Sequence, residues 1–172
     1  MYHYAEAIGN VLGLEVIGTS GDLFMDFAVG NFDGTEDLRT VLNAIAEATQ
    51  TIYFVNHLNQ LEFKQLNRDG LSVYTITKED YINLHTGENK RLQTICHVTE
   101  LGDNVEAHTS LTGSTQYIRN NPFWELRNDI DTILSTAISN IGNITINQFE
   151  CEWRGNPALE LGDKIKIKDK NN

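Results

Sequence analysis

Between Asn121 and Gly142 the chain reads "NPFWELRNDIDTILSTAISNIG", and Leu126, Ile130, Ile133, Leu134, Ala137, Ile138 and Ile141 recur there at steps of three and four. That spacing lines them along one side of an α-helix and leaves the other side polar. Asn121 stands at the N-cap, Pro122 at the first helical position and Gly142 just past the end, so the pattern predicts one long helix over residues 122–141. A single apolar stripe has to be covered. The flanking segments alternate with the period of two that belongs to strands, so the cover is a sheet and the fold combines both kinds of element.

Upstream, Ala5, Ile8, Val11 and Leu12 keep helical spacing over residues 4–12, Gly13 offers a stop, and "LEVIG" follows as a strand. After a looser stretch, Thr35 stands as N-cap with Glu36 and Asp37 in the first turn, and Leu38, Val41, Leu42, Ile45 and Ala46 share a face before the strand "TIYFVN". The two helix–strand units echo one another, as two amphipathic helices readily do by chance. "YFVNHLNQLEFKQL" reads as a β-hairpin with "NHLNQ" at its turn and a sheet edge beside it. "LSVYTIT" is a strand, and "TKED" resembles a capping box opening a helical turn through Tyr81 and Leu84.

"KRLQTICHVTE" and "VEAHTSLTGSTQYIRN" alternate on either side of Gly102-Asp103-Asn104, which predicts a long antiparallel pair. "ITINQFECEWRG" and "DKIKIK" complete the order as a terminal strand pair joined by "RGNPALELG". The fold class is α+β: mixed, mostly antiparallel sheets, two short helix–strand units and one long helix packed on a sheet. Residues 1–70 hold the helix–strand units and hairpin, and residues 71–172 hold the strand meander, the helix and the terminal strands, the two parts being divisible or one continuous unit. Parallel pairing across a helix crossover stays open.

Thirteen Lys and Arg against twenty-four Asp and Glu give a net charge of -11, which opposes a nucleic-acid partner or an anionic membrane surface. No apolar run reaches the ~20 residues that span a bilayer, and the N-terminus lacks the basic-then-apolar order of a secretory signal. The expectation is a soluble chain made in the cytoplasm. Cys96 and Cys151 lie far apart without a CxxC partner and read as small apolar fillers.

The five histidines, His3, His57, His85, His97 and His108, show no metal-ligand spacing and read as surface or turn residues. Cys96 and His97 are adjacent on a strand and face opposite sides, which prevents a thiolate–imidazole pair. Asp103 and Glu106 with His108, near a turn, could bind a cation or act as acid and base, but an Asp in "GDN" ordinarily bonds its own backbone. No nucleophile elbow, phosphate loop or dinucleotide fingerprint occurs. The expectation is therefore no enzyme, no catalytic residue, no cofactor and no metal. Trp124, Trp153 and Tyr117 could build a sugar-stacking surface, but aromatic residues at a helix start more often fill a core. A cytoplasmic enzyme of unstated type rests on size alone.

"QYIRNNPFWE", the helix, and then "FECEWRGNPALELGDKIKI" resemble the tail-hub proteins of tailed bacteriophages and prophages, a group also called prophage tail or tail-associated proteins. The matching positions are Ile118, Asn120, Asn121 and Pro122, then Trp153, Gly155, Asn156, Pro157, Leu159, Glu160, Gly162, Asp163 and Ile165. "LRTVLNAIAEATQTIYFVNHLNQLEFKQL" and "ITKEDYINL" are similar in kind and order, so the resemblance covers residues 4–168. Gln50 departs from the usual helix-ending Gly, and "NHLNQL" departs from the usual turn.

The resemblance implies a virion structural protein: a hub or baseplate module that links tail tube to tail tip by contacts with other tail or baseplate proteins. It implies a homotrimer for the full-length protein, assembly in the bacterial host's cytoplasm, and a final place in the virion tail. Any peptidase or glycan-cleaving domain would lie elsewhere in that protein. The alternative within the same setting is a module that binds or cleaves cell-wall glycan or peptidoglycan. On this comparison the chain is an interior segment with an added Met1, and residues 169–172 lack fixed order or are held by a neighbouring molecule. The loop "GNPALELGD" is a stiff connector, with Pro157 fixing φ, Gly155 and Gly162 permitting the turns and Asp163 bonding backbone amides. Glu160 and Asp163 alone make a poor metal site.

Overall fold

A computed structural model describes residues 1–18, 30–65, 70–125, 127–141 and 145–168. The expectations for Leu126, for Gly142 as a helix stop and for residues 169–172 lie outside them.

Helix α1 (Tyr2–Leu12) stops at Gly13 in the left-handed region, φ 69°. The Leu14 amide then bonds the Gly9 carbonyl at 2.8 Å. A Cβ on Gly9 would sit 2.5 Å from a Val16 methyl and 2.8 Å from the Leu14 oxygen, so glycine there lets β1 (Glu15–Gly18) fold back against its own helix. Helix α2 (Leu38–Thr49) repeats the plan, ending at Gln50 with φ 57° and leading into β2 (Thr51–Val55). Its N-cap is Asp37, which accepts from the Thr40 amide, and not Thr35. Thr35 is engaged elsewhere, its amide and hydroxyl both bonding Asp33.

β3 (Gln60–Gln65) returns from β2 as the predicted hairpin, and β1 runs parallel to it on the other side. Alternation turns Leu61 and Phe63 under the helices, where both are almost fully buried. Burial of this kind contributes about 1.5–3 kcal/mol for each such side chain.

β4 (Tyr74–Ile76) precedes a turn in which the Thr77 amide and hydroxyl bond Asp80, each at 2.7 Å. The "TKED" box thus closes a single turn rather than a helix, and Tyr81 opens β5 (Tyr81–Val98), an 18-residue strand. The "VEAHTS…" segment is two strands, not one. β6 (Asn104–His108) pairs antiparallel with β5, whereas β7 (Ser114–Arg119) lies on the opposite edge of β5 and runs parallel to it. The crossover at 109–113 presses on β5: the Thr109 amide bonds Gln93 O at 2.7 Å, and Gly113 backs directly onto the Arg91 carbonyl.

The long helix is shorter than its pattern. Residues 122–125 form one turn, and α3 spans Ile130–Ile141. Asn121 does cap, but it caps that turn: its carbonyl accepts from Trp124 and Glu125, and its side-chain oxygen from Phe123. Asn128 and Asp129 are poor interior residues, and the Asp129 carbonyl accepts the first bonds of α3 from Thr132 and Ile133. Phe123 and Trp124 both enter the core before the helix starts.

β8 (Thr145–Trp153) and β9 (Ile165–Ile167) do not pair with each other. β8 runs antiparallel to residues 81–91 of β5, and β9 runs parallel to β4. The result is an α+β fold with mixed sheets and one continuous core, drawn from α1, α2, β3, β5, β6, α3 and the Phe123–Trp124 turn.

Candidate functional site

The positions singled out by the sequence motif gather largely in two structural knots, and an open surface lies beside them. The first knot is Asn121. It is 1% exposed, and its side-chain amide donates to the Ala44 carbonyl at 3.1 Å and to Glu47 at 3.2 Å. It therefore ties the 121–125 turn to the last turns of α2. Asn120 before it takes φ 51°, and the Pro122 carbonyl accepts from Asn31.

The second knot is the connector between β8 and β9. Gly155 and Gly162 have φ of 76° and 77°, the conformations the turns were expected to need. Asn156 accepts from the Ala158 amide, and its carbonyl from Leu159, which winds the chain tightly after Pro157. Glu160 then reaches across the fold and accepts from the His57 amide at 2.9 Å and from His57 Nδ1 at 2.6 Å. Asp163 accepts from the Glu160 amide at 2.9 Å and from Lys64 Nζ at 2.7 Å. Hydrogen bonds from the His57 amide and ring hold the Glu160 carboxyl below its ordinary range, and those from the Glu160 amide and Lys64 do the same for Asp163. The connector is thereby clasped to the β2–β3 hairpin. Both carboxylates are spent on that clasp, and no group of three or more His, Cys, Asp or Glu that could hold a metal occurs among the described residues.

Trp153 is half-buried at the end of β8, where its ring lies 5.8 Å from Tyr74. Trp124 is 1% exposed and belongs to the core, whereas Tyr117 is exposed under the Arg119 guanidinium. The three aromatic side chains do not share a surface.

His97 is the correction among the histidines: it is 1% exposed rather than at the surface. Its ring meets Trp124 edge-on at 5.4 Å, and Nε2 lies 3.5 Å from Glu125 Oε1. Burial pushes its pKa down, and the Glu125 charge acts against that shift. Cys96 pairs across with Glu106 and Tyr117, and His97 with Val105 and Ile118, so the two do face opposite sides. Burial, with Glu106 adding to it, raises the Cys96 thiol pKa, which makes it a weak nucleophile. Glu106 and His108 lie 3.5 Å apart on β6, while Asp103 stays in a turn closed by Thr99.

The open surface was not foreseen. Residues 81–91 of β5 and all of β8 form a two-stranded ribbon with no further strand on either edge among the described residues. One face carries Leu84, Thr86, Phe149 and Cys151, and the other carries Asn83, His85, Glu150 and Glu152. A lone two-stranded ribbon is marginal in water. The signal for it was the amphipathic alternation of "NQFECEW", which the sequence shows but cannot assign to a partner.

No family model matches the chain, and no curated protein sequence does. A solved structure does: the 43 kDa tail protein of prophage MuSo2 from Shewanella oneidensis matches with a TM-score of 0.52 at 12% identity. The alignment covers 98% of this chain and 53% of that one, so the chain spans about half the length of the tail protein. The two share a fold.

Proposed function

We propose that this chain is a structural module of a bacteriophage or prophage tail, acting by protein–protein contact and carrying no catalytic role of its own. The observation that supports the reading most directly is the shared fold, which runs across 98% of the chain and pairs it with a prophage tail protein. Within the tail, the module is a hub or baseplate piece linking tube to tip. The full-length protein works as a homotrimer, assembled in the host cytoplasm and carried in the virion. A ribbon with open edges and a connector clasped by ion pairs are scaffold devices, because each presents backbone and side chains in a fixed direction. The glycan-binding alternative has less support, since Trp124 is sealed in the core and cannot stack on a sugar.

The test is particle composition. Tails purified from cells producing the phage should contain the protein by mass spectrometry, and deletion of its gene should leave heads without functional tails. Intact, infectious tails from the deletion strain would overturn the reading.

A further inference from the structure

We infer that the open edge of β8 in one copy of this chain joins the open edge of β9 in another, by a strand-to-strand contact matched in both charge and polarity. The inference rests on the reading of the chain as an assembling module, and names the surfaces through which copies meet.

β9 pairs only with β4 among the described residues. The Lys164 carbonyl accepts from Val73 and the Lys168 amide donates to Ile76, so these even-numbered backbone groups point to β4. By alternation, the N–H and C=O groups of Ile165 and Ile167 point to the free edge. β8 likewise has β5 on one side alone. Unpaired edges of this kind are templates for a further strand.

The side chains match as well. In a chain of net charge -11, Lys164, Lys166 and Lys168 follow one another on one face of β9, and Ile165 and Ile167 occupy the other. On β8 the order is complementary, with Glu150 and Glu152 on one face and Phe149 and Cys151 on the other. Placing Glu150 opposite Lys166 sets Glu152 opposite Lys164 in an antiparallel pair, or Lys168 in a parallel one. Either arrangement lays Phe149 and Cys151 beside the two isoleucines. Glu150, Lys166 and Lys168 are exposed, Glu152 accepts from the neutral Asn83, and Lys164 Nζ donates to the Gly70 carbonyl at 2.7 Å. A contact that uses two different edges is head-to-tail, the kind that closes into rings. The basic row and the acidic row that matches it in spacing both belong to this chain, and that argues for a second copy as the occupant.

Charge reversal tests this on the full chain by sedimentation equilibrium. The native chain should associate at ~0.1 M salt and less at ~1 M, where charges are screened within a few ångströms. Glu150→Lys with Glu152→Lys, or Lys166→Glu with Lys168→Glu, should each weaken association roughly tenfold or more, because like charges then face each other. The four-fold swap in one chain, and a mixture of the two double variants, should restore it. All four side chains are exposed, so unfolding curves should stay close to native and report any loss of fold. A native chain that stays monomeric, association indifferent to the reversals, or a mixture that fails to recover would overturn the contact. So would tighter association on removing the lysines, which would make them guards of a blunted edge. Charge-independent association in a protein found in tails overturns only this contact. Charge-dependent association in a protein absent from tails overturns only the tail reading.

Discussion

Residues 92–98 of β5 lie between β6 and β7 with α3 packed over them, whereas residues 81–91 of the same strand pair, among the described residues, with β8 alone. In the first half Ile95 and Cys96 are 3% and 0% exposed; in the second, Ile82 is 75% exposed. One strand thus passes from a buried core into a ribbon open on both sides. The first half is held by apolar burial, and the second mainly by ladder hydrogen bonds. Local stability therefore differs along a single element.

The sharpest way to break this comparison is to remove side chains from each half. Ile95→Ala should cost about 2–5 kcal/mol and Trp124→Ala about 3–5, because each leaves a cavity in the one continuous core. Phe149→Ala on the ribbon, where the ring is 46% exposed, should stay within about 0.5 kcal/mol. Urea unfolding of the three variants reads the difference directly, and equal losses would dissolve the distinction.

The boundary between the halves can be attacked through glycines. A Cβ at Gly113 would overlap the Arg91 carbonyl oxygen, which is backbone and cannot swing aside. Gly113→Ala should therefore cost about 1–3 kcal/mol and lower the melting temperature. Gly87, in the ribbon, would place its Cβ 3.3 Å from Gln148 O. There the tight contact is offset by the lower entropy of the unfolded chain, and Gly87→Ala should be close to neutral.

Acid should act on the buried half through His97. The ordinary His pKa of 6.5 is lowered at His97 by burial among Val105, Ile118 and Trp124, with the Glu125 charge opposing that shift. The unfolded chain therefore binds this proton more readily than the folded one. His97 contributes stability that is complete above pH 6.5 and is lost as pH falls from there to the folded value. Asp33, Asp37, Asp80, Asp129, Glu160 and Asp163 have lowered values, so their contribution is lost in a separate window, as pH falls below their ordinary 3.8–4.5. Denaturation followed from pH 7.5 to 5.5 should show a slope that His97→Leu abolishes. A slope unchanged in that variant would place its origin elsewhere.

Much of this architecture was legible from periodicity and turn chemistry. Gly13 stopped α1, Gln50 ended α2 without a glycine, and Leu61 and Phe63 turned inward as their alternation required. The failures share a cause. A strand's pattern says which face is buried but not which neighbour it meets, so alternation alone does not reveal that β7 runs parallel to β5, or that β8 and β9 pair with β5 and β4 and not with each other. Likewise, the stripe from Leu126 to Ile141 continued back to Pro122 on the wheel. Only the core positions of Phe123 and Trp124 and the caps at Asn121 and Asp129 divide it into a turn and α3. At the candidate surfaces, the sequence marked Glu160 and Asp163 as connector residues without revealing His57 and Lys64, which lie 103 and 99 residues away. The buried setting of His97 was invisible for the same reason.

The smallest effect should come from the connector, which is held by side chains where the ribbon is held by backbone. His57 is 71% exposed and Glu160 24%, so screening by water leaves their pair a minor contributor to global stability. Glu160→Gln keeps an oxygen for the His57 amide and removes the charge, so the melting temperature should hardly move. The local change should be larger in proportion: hydrogen exchange at the His57 amide should quicken, and its native sensitivity to salt should disappear. Asp163→Asn should go further, since Lys64 and Asp163 are 26% and 18% exposed and Asp163 also accepts from the Glu160 amide. If both variants leave His57 exchange unchanged while loosening the ribbon amides, the clasp acts on the ribbon rather than the hairpin, and the connector belongs with the open half of the molecule.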